Sequence, residues 1–419
     1  MKRIAVVGGG ISGLAVAKML NGRFDVAVFE KEASAGGLIR CRRVEGSLFH
    51  ICGGHVFNTK DVNVNDWFWS MFDKERDFVK ADRKSAVCME DGRFVDYPLE
   101  NHVWQMDEGI QKSFYEDMSR MIADPPAKPV SFGDFLLKRF GRTLYDVYFR
   151  PYNAKVWRRD LSDVPLSWLD GKLPMPTPQE MVEANRNHIE EKAFVHSSFY
   201  YAKVGGSQFI VDTLAKGLDV RCGQEIVEID CLPGGVAVKT ATGSVETFDG
   251  LVFCGNVKDI PQIVKGIDFG GLSMAVERFE SHGTTAVFCE TDPIPYSWFY
   301  QPSPRHDSHR FICTGNFSQS NNAPGKMTCT VEFSDEIGED EIKAQLKLMP
   351  FHPRYVARHY TRCSYPIQHV DTRRVVEALK LRLSERNVFL SGRFAEWEYF
   401  NMDAAIGSAM KLCRKLVAQ

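Results

Sequence analysis

The sequence predicts an α/β fold: a Rossmann-like domain carrying an inserted helical domain and an antiparallel β-sheet domain. Three observations predict it. The chain opens on a buried strand, a glycine-rich turn and a helix in "RIAVVGGGISGLAVAKML". Apolar residues recur at three- and four-residue spacing from about 103 to 195. The chain closes on "NVFLSGRFAEWEYFNMDAAIGSAMKLCRKLV", again a buried strand, a glycine turn and a helix. At 419 residues the length suits two or three domains.

Composition narrows the function classes. An apolar fraction of 44% and a charged fraction of 25% are ordinary for a soluble globular protein. With 52 basic against 54 acidic residues, no bulk field invites nucleic acid or a membrane surface. Eleven cysteines are scattered singly with no C-x-x-C pair, which argues against a disulfide framework or zinc site. No metal is expected. The N-terminus imitates a signal peptide, but three glycines interrupt its apolar run, and no run reaches membrane-spanning length. A cytoplasmic protein is expected.

Gly8, Gly10 and Gly13 form G-x-G-x-x-G between the first strand and the first helix. Gly8 allows the tight turn, Gly10 lets a pyrophosphate approach, and Gly13 lets helix and strand pack closely. Ile11 and Ser12 open the helix, whose N-terminus offers N–H groups to phosphate. A second strand, "DVAVFE", ends at Glu30, where a carboxylate can accept from ribose hydroxyls, with Lys31 following. Gly36, Gly37 and Leu38 in "EKEASAGGLIR" resemble the signature of the FAD-binding amine-oxidase and glutathione-reductase-like superfamily. That resemblance favours FAD over NAD.

Further on, "KSAVCMEDGRFVDYPL" reads as a hairpin around Asp91-Gly92. "SFYEDMSRMIA" and "FGDFLLKRFGRTLYDVYFRPY" read as helices, separated by the linker "ADPPAKP". "QEMVEANRNHIEE" reads as a helix that is polar on most faces and therefore solvent-facing or mobile. "DVRCGQEIVEIDCLPGGVAVKTATGSVETFDGLVFCG" alternates like a small antiparallel sheet returning to a buried strand. Strand-like runs follow between 280 and 335.

Several stretches, in order, resemble the UDP-galactopyranose mutases, and the eukaryotic-type branch more than the bacterial one: "GGHVFNT", "RPYNAKVW", "SWLDGKLPMP", "WFYQP", "HRF", "NFS", "SYP" and "GRFAEWEYFNMD". The resemblance implies a discontinuous FAD-binding domain from residues 1–60, 203–256 and 386–419. It also implies a helical insertion over 103–202 and a sheet/substrate domain from 61–102 and 257–385. The implied activity is interconversion of pyranose and furanose forms of a nucleotide sugar through a reduced-flavin N5–sugar adduct, with no net redox change. An external reductant such as NAD(P)H is implied. Oligomeric state stays open.

The same resemblance distributes roles. Gly53, Gly54 and His55 would lie against the flavin, the glycines admitting a flat ring. Val227, Gly392, Arg393, Asn401 and Met402 would complete the cofactor site. Arg310 and Lys172 would hold the leaving diphosphate with Tyr300, Tyr365 and Tyr399; lysine keeps charge at its position but loses the bidentate fork. Tyr97 and Glu100 fall at the nucleobase, Asn153, Trp157 and His196 near the sugar. His55, Arg310, Arg393 and Tyr399 are the expected catalytic group. Trp157 reads alternatively as helix packing, and Tyr97 as a turn residue before proline. Glu100 replaces a glutamine and can only accept hydrogen bonds, so another base or sugar is open. An FAD-dependent oxidase or desaturase of the amine-oxidase type is the alternative, and a non-catalytic flavoprotein a third reading.

Overall fold

A computed structural model describes residues 1–166, 176–189 and 198–418. At its centre is a five-stranded parallel sheet in the order Val388–Leu390, Gly250–Phe253, Arg3–Val7, Asp25–Glu30, Asp219–Cys222. The inner strands are short and nearly wholly apolar because both faces are covered. On one face the opening helix Ile11–Leu20 packs on the closing helix Met402–Ala418, joining Leu14, Val16, Ile406 and Ala409 in one core. On the other face lie the helix Thr372–Ser384 and a four-stranded sheet, sharing Val375, Leu379, Val236 and Val238 with Ala5 and Val7. Beginning and end of the chain thus meet in one layer, as the paired strand–turn–helix patterns predict.

The second body is a seven-stranded sheet in the order Arg354–Ile367, Glu280–Glu290, Thr328–Ser334, Ser308–Ile312, Trp298–Tyr300, Ser85–Cys88, Phe94–Asp96. The hairpin around Asp91-Gly92 supplies its last two strands. The helical region comprises Glu108–Ala123, Phe132–Leu144, Arg150–Trp157 and Pro178–Asn187, gathered on Phe114, Leu136, Phe140 and Met181. Gly141, at φ +79°, breaks the second of these before a π-helical turn over Tyr145–Phe149. Among the described residues, no helix is long and apolar enough to cross a membrane. All eleven cysteines are free thiols.

Four expectations are corrected. Asp219–Cys222 does not begin the small antiparallel sheet but joins the parallel one. The helix Gly206–Ala215 just before it carries the chain across, and a parallel edge strand alternates like an antiparallel one. The helix Pro178–Asn187 is not simply solvated: it buries Met181, Ala184 and Asn185. Asn185 is polar yet fully employed, donating to the carbonyls of Glu100 (2.7 Å) and Met181 (2.8 Å). The break expected at residue 61 also moves, since Val64, Phe68 and Phe72 belong to the core around the parallel sheet. Phe57 stacking on Phe68 carries that core past the expected boundary. Thr372–Ser384, expected in the sheet domain, packs on the parallel sheet for the same reason: its apolar face finds Leu251 and Val388.

Gly13 has no room for a side chain, because an added Cβ would stand 1.9 Å from the Gly8 carbonyl oxygen. Gly13→Ala is expected to lower stability by ~2–3 kcal/mol through overpacking. Gly271→Ala, where a Cβ meets nothing within 4 Å, should stay within ~0.5 kcal/mol of the parent. Urea midpoints of the two variants decide; equal midpoints would refute the steric account.

Candidate active site

A cleft of about 2160 Å³ runs between the parallel sheet and the seven-stranded sheet. Gly8, Gly10, Ile11, Ser12, Gly13, Glu30, Lys31, Gly37, Leu38 and Val227 line it. Gly53, Gly54, His55, Tyr300, Arg310, Tyr365, Arg393, Tyr399, Asn401 and Met402 line the same space. Twenty of the expected site residues are therefore brought to one cavity.

Other expected residues are placed elsewhere. Gly392, at φ +112°, lies just behind the wall, where a Cβ would meet Ser12 Oγ at 2.7 Å; it lets the closing turn approach the opening helix. Tyr97 packs behind Tyr300 with ring centroids 5.0 Å apart, and Glu100 is buried in the following turn. Asn153 spends its side-chain amide on the Phe149 carbonyl at 2.7 Å. Trp157 is buried in the helical core beside Phe132, as its packing alternative has it. Lys172 and His196 lie outside the described residues.

The cleft fits an extended dinucleotide. Successive glycines leave the turn without side chains at the helix N-terminus. Glu30 is held at its strand end, accepting from the N–H groups of Gly9 (2.7 Å) and Glu32 (2.9 Å). A carboxylate has about four acceptor positions, so capacity for ribose hydroxyls remains. Farther along, neither the buried Nε of Arg393 nor the enclosed Nε2 of His55 has a hydrogen-bond partner among the described residues.

The glycine loop before His55 rests on the large sheet. Gly53, at φ +68°, donates its N–H to Glu332 Oε1 at 2.6 Å. A Cβ on Gly54 would stand 2.5 Å from Ile312 Cγ2 and 3.0 Å from Trp298 Nε1. Glycine at 54 is thus required by the strands beneath it, a reason distinct from admitting a ring. Burial, with His50 nearby, pulls His55 down to about 3, so its imidazole is neutral near pH 7.

Arg310 and Glu332 face each other across neighbouring strands. Arg310 Nε donates to Glu332 Oε2, and Nη2 donates to the Tyr365 hydroxyl at 3.2 Å. Glu332 is fully buried. Burial opposes its ionisation, but the Arg310 charge and the adjacent His309 outweigh it and hold the carboxyl well below the usual range. Burial likewise opposes the Arg310 charge, and Glu332 outweighs it. His309, 3.6 Å from Glu332, is pulled down to about 4, chiefly by burial. Two of the five N–H donors on Arg310 are committed to protein, leaving Nη1 for a ligand.

Around this pair the Tyr365 and Tyr399 rings stack at 5.5 Å, with the Arg393 guanidinium 4.3 Å above Tyr399. Arg83 donates to the Tyr300 hydroxyl and lies over the rings of Trp298 and Tyr97. Neither Arg83 nor Arg393 forms an ion pair with a carboxylate among the described residues. Guanidinium groups interleaved with tyrosine hydroxyls suit a multiply charged oxyanion such as a diphosphate. Sequence reasoning missed Glu332, Arg83 and His50. A lone carboxylate inside the otherwise uncharged "TCTVEF" strand was the available signal for Glu332.

Fold and site together define a dinucleotide-binding α/β protein whose cleft continues into an anion-binding chamber. Comparison with known proteins agrees. Residues 6–74 match the family model of the NAD(P)-binding Rossmann-like domain. A probable UDP-galactopyranose mutase of Klebsiella pneumoniae is 21% identical, the match covering 98% of this chain and 93% of that protein. The dTDP-fucopyranose mutase of Escherichia coli is 26% identical over 42% of this chain and 46% of its own length. The crystal structure of a reduced UDP-galactopyranose mutase superposes with a TM-score of 0.89 at 20% identity, covering all of this chain and 94% of that one. The resemblance to UDP-galactopyranose mutases therefore extends over nearly the whole chain and its fold.

Two consequences for stability follow. His50, His55 and His309, pulled down to about 4, 3 and 4, stay neutral in the folded protein where the unfolded chain begins to bind protons. They cost nothing above an unfolded value of roughly 6.5, and stability should fall progressively as pH drops from there toward 4. His309→Asn should flatten that slope, measured as urea midpoint against pH; an unchanged slope would remove His309 from the account. Glu332→Gln strips the partner from a largely buried guanidinium and should cost ~3 kcal/mol at pH 7. Because the Glu332 value is depressed, the gap between parent and variant is full above the ordinary glutamate range, roughly 4.3, and narrows below it. A gap independent of pH would show that shape, not charge, is what Glu332 supplies.

Proposed function

We propose that this chain is a flavin-dependent nucleotide-sugar mutase that interconverts pyranose and furanose forms of an NDP-sugar. The observation that carries the reading is Arg310, charged by Glu332 and aimed by Tyr365, in the same cleft as the dinucleotide turn. An oxidase or desaturase has no need of Arg83, Arg310 and Arg393 around a tyrosine cluster. Uridine and thymidine diphosphate sugars are the first candidates, since the mutases this chain resembles are named for them.

FAD would lie along Gly8–Gly13, Glu30 and Lys31, with its reactive ring beside Gly53–His55, Arg393 and Tyr399. In its reduced form FAD supplies the nucleophile that displaces the diphosphate from the anomeric carbon, and NAD(P)H is the proposed source of electrons. Arg310 Nη1 takes up charge on the departing diphosphate, while the hydroxyls of Tyr300, Tyr365 and Tyr399 donate to its oxygens. Glu332 keeps Arg310 aimed, so no reorganisation is needed as that charge develops. The neutral His55 imidazole can accept or donate one hydrogen bond at Nε2 without adding positive charge to the chamber.

The test is anaerobic incubation of dithionite-reduced protein with UDP-galactofuranose or its dTDP counterpart, beside an oxidised control. Conversion to the pyranose form in the reduced sample alone is the expected result. Bound, reduced FAD with no turnover of either sugar would overturn the mutase reading. Arg310→Lys keeps the charge opposite Glu332 but loses the fork; it should weaken nucleotide-sugar binding about tenfold with FAD retained, by titration. Unchanged binding would remove Arg310 from the site.

A further inference from the structure

His50 sits fully buried at the end of the strand Ser47–His50, directly beneath the glycine loop. Its Nε2 is 2.8 Å from the Tyr201 hydroxyl, which also receives the side-chain amide of Asn321 at 2.9 Å. Its Nδ1 meets two groups of opposite demand. The backbone N–H of His55 approaches at 3.4 Å and can only donate. Ser207 Oγ approaches at 3.3 Å, but its own proton is directed to the Ile39 carbonyl at 2.6 Å, so toward His50 it can only accept. As a lone pair, Nδ1 serves His55; as N–H, it serves Ser207. It cannot serve both.

The other end of the ring makes the choice reversible. With Nδ1 a lone pair, Nε2–H donates to Tyr201; with Nδ1 protonated, Nε2 accepts the tyrosine proton. A hydroxyl both donates and accepts, so the Tyr201 bond is kept either way. Burial pulls His50 down to about 4, so one or other neutral form is present near pH 7. The loop is therefore tied at two points of different character. Gly53 is tied to Glu332, a carboxylate that can only accept, and His55 to a ring that either holds or releases it.

We propose that His50 is the positioning residue of the Gly53–His55 loop: its Nδ1-acceptor tautomer holds the His55 backbone and its Nδ1–H tautomer frees it. The proposal deepens the mutase reading, on which it rests for the importance of His55, by assigning the group that sets where His55 stands. A ligand that contacts the loop selects between the two forms by its differential affinity for them.

Two substitutions separate the ends of the ring. His50→Asn places an amide near Nδ1 and can still accept from His55; His50→Gln reaches the Nε2 position and can still pair with Tyr201. Deuterium uptake of a peptide spanning residues 51–58 is measured in protein free of cofactor. The expected result is uptake in His50→Asn close to the parent, and uptake about fivefold faster in His50→Gln, the worth of one neutral hydrogen bond. Equal uptake in the two variants, or faster uptake in His50→Asn, would overturn the proposal. This readout needs neither flavin nor sugar, so it can succeed where the mutase assay fails, and the converse.

If either variant fails to fold, the parent protein decides by ¹⁵N spectroscopy of its labelled histidine rings, with and without FAD. A redistribution between Nδ1–H and Nε2–H forms of the buried ring that pairs with Tyr201, lost in Tyr201→Phe, is the expected result. One fixed Nδ1–H form in both states would overturn it.

Discussion

The buried contact of Glu332 with Arg310 is the constraint on which the rest of the site depends. A carboxylate with no solvent exposure stays ionised chiefly because a guanidinium lies against it, and the carboxylate in turn fixes the Nε edge of that guanidinium. The second oxygen of the same carboxylate receives the Gly53 N–H. One side chain thus sets both the cation of the anion chamber and the root of the loop bearing His55. Two parts of the cleft that different chemistry would occupy are registered to each other through two oxygen atoms.

Around that hub the division of labour between the two sheets is clear. The parallel sheet presents turns: Gly8–Gly13 and the end of the Glu30 strand, both suited to backbone contact with a nucleotide, with the Ser391–Gly392 turn packed behind them. The seven-stranded sheet presents side chains: Tyr300, Arg310 and Glu332 sit on three adjacent strands, and Tyr365 lies two strands from Glu332, across Glu280–Glu290, so that strand register fixes their spacing. Rigid strands hold these groups more tightly than loops would, as a site that must not reorganise around developing charge requires.

Much of this was legible in the sequence, and for identifiable reasons. The glycine spacing at 8, 10 and 13 and the acid at 30 are local signals, set by geometry within one strand–turn–helix unit, and they fall in the cleft as expected. Arg310, Arg393 and the tyrosines at 300, 365 and 399 were legible only through their ordered resemblance, because they converge from strands and turns far apart in the chain. Glu332 and His50 were not legible: each is one carboxyl or imidazole in a short, otherwise uncharged strand, and its importance appears only once its cross-strand or cross-loop partners are known. Asn153 and Trp157 matched a motif, and their local packing shows what a motif does not report: Asn153 donates to a helix carbonyl and Trp157 joins an aromatic core. Domain boundaries were misjudged where Phe57 and Phe68 stack across an expected break, a pairing no period reports.

The arrangement of the parallel sheet also bears on how the chain acquires its structure during synthesis. Its strands are drawn from residues 3–7, 25–30, 219–222, 250–253 and 388–390, and the helix Met402–Ala418 packs on the helix Ile11–Leu20. The unit of residues 3–20 is therefore covered in stages, in part by Val64, Phe68 and the helix Gly206–Ala215, and completely only when Met402–Ala418 has been translated. Such long-range closure is slow, and the exposed strand edge is vulnerable to pairing with other chains in the interval. The insertions, by contrast, have their neighbours close at hand. The layer that carries the Gly8–Gly13 turn cannot be completed before residues 388–418 exist, and a chain broken ahead of Met402 would lack the helix that packs on Ile11–Leu20.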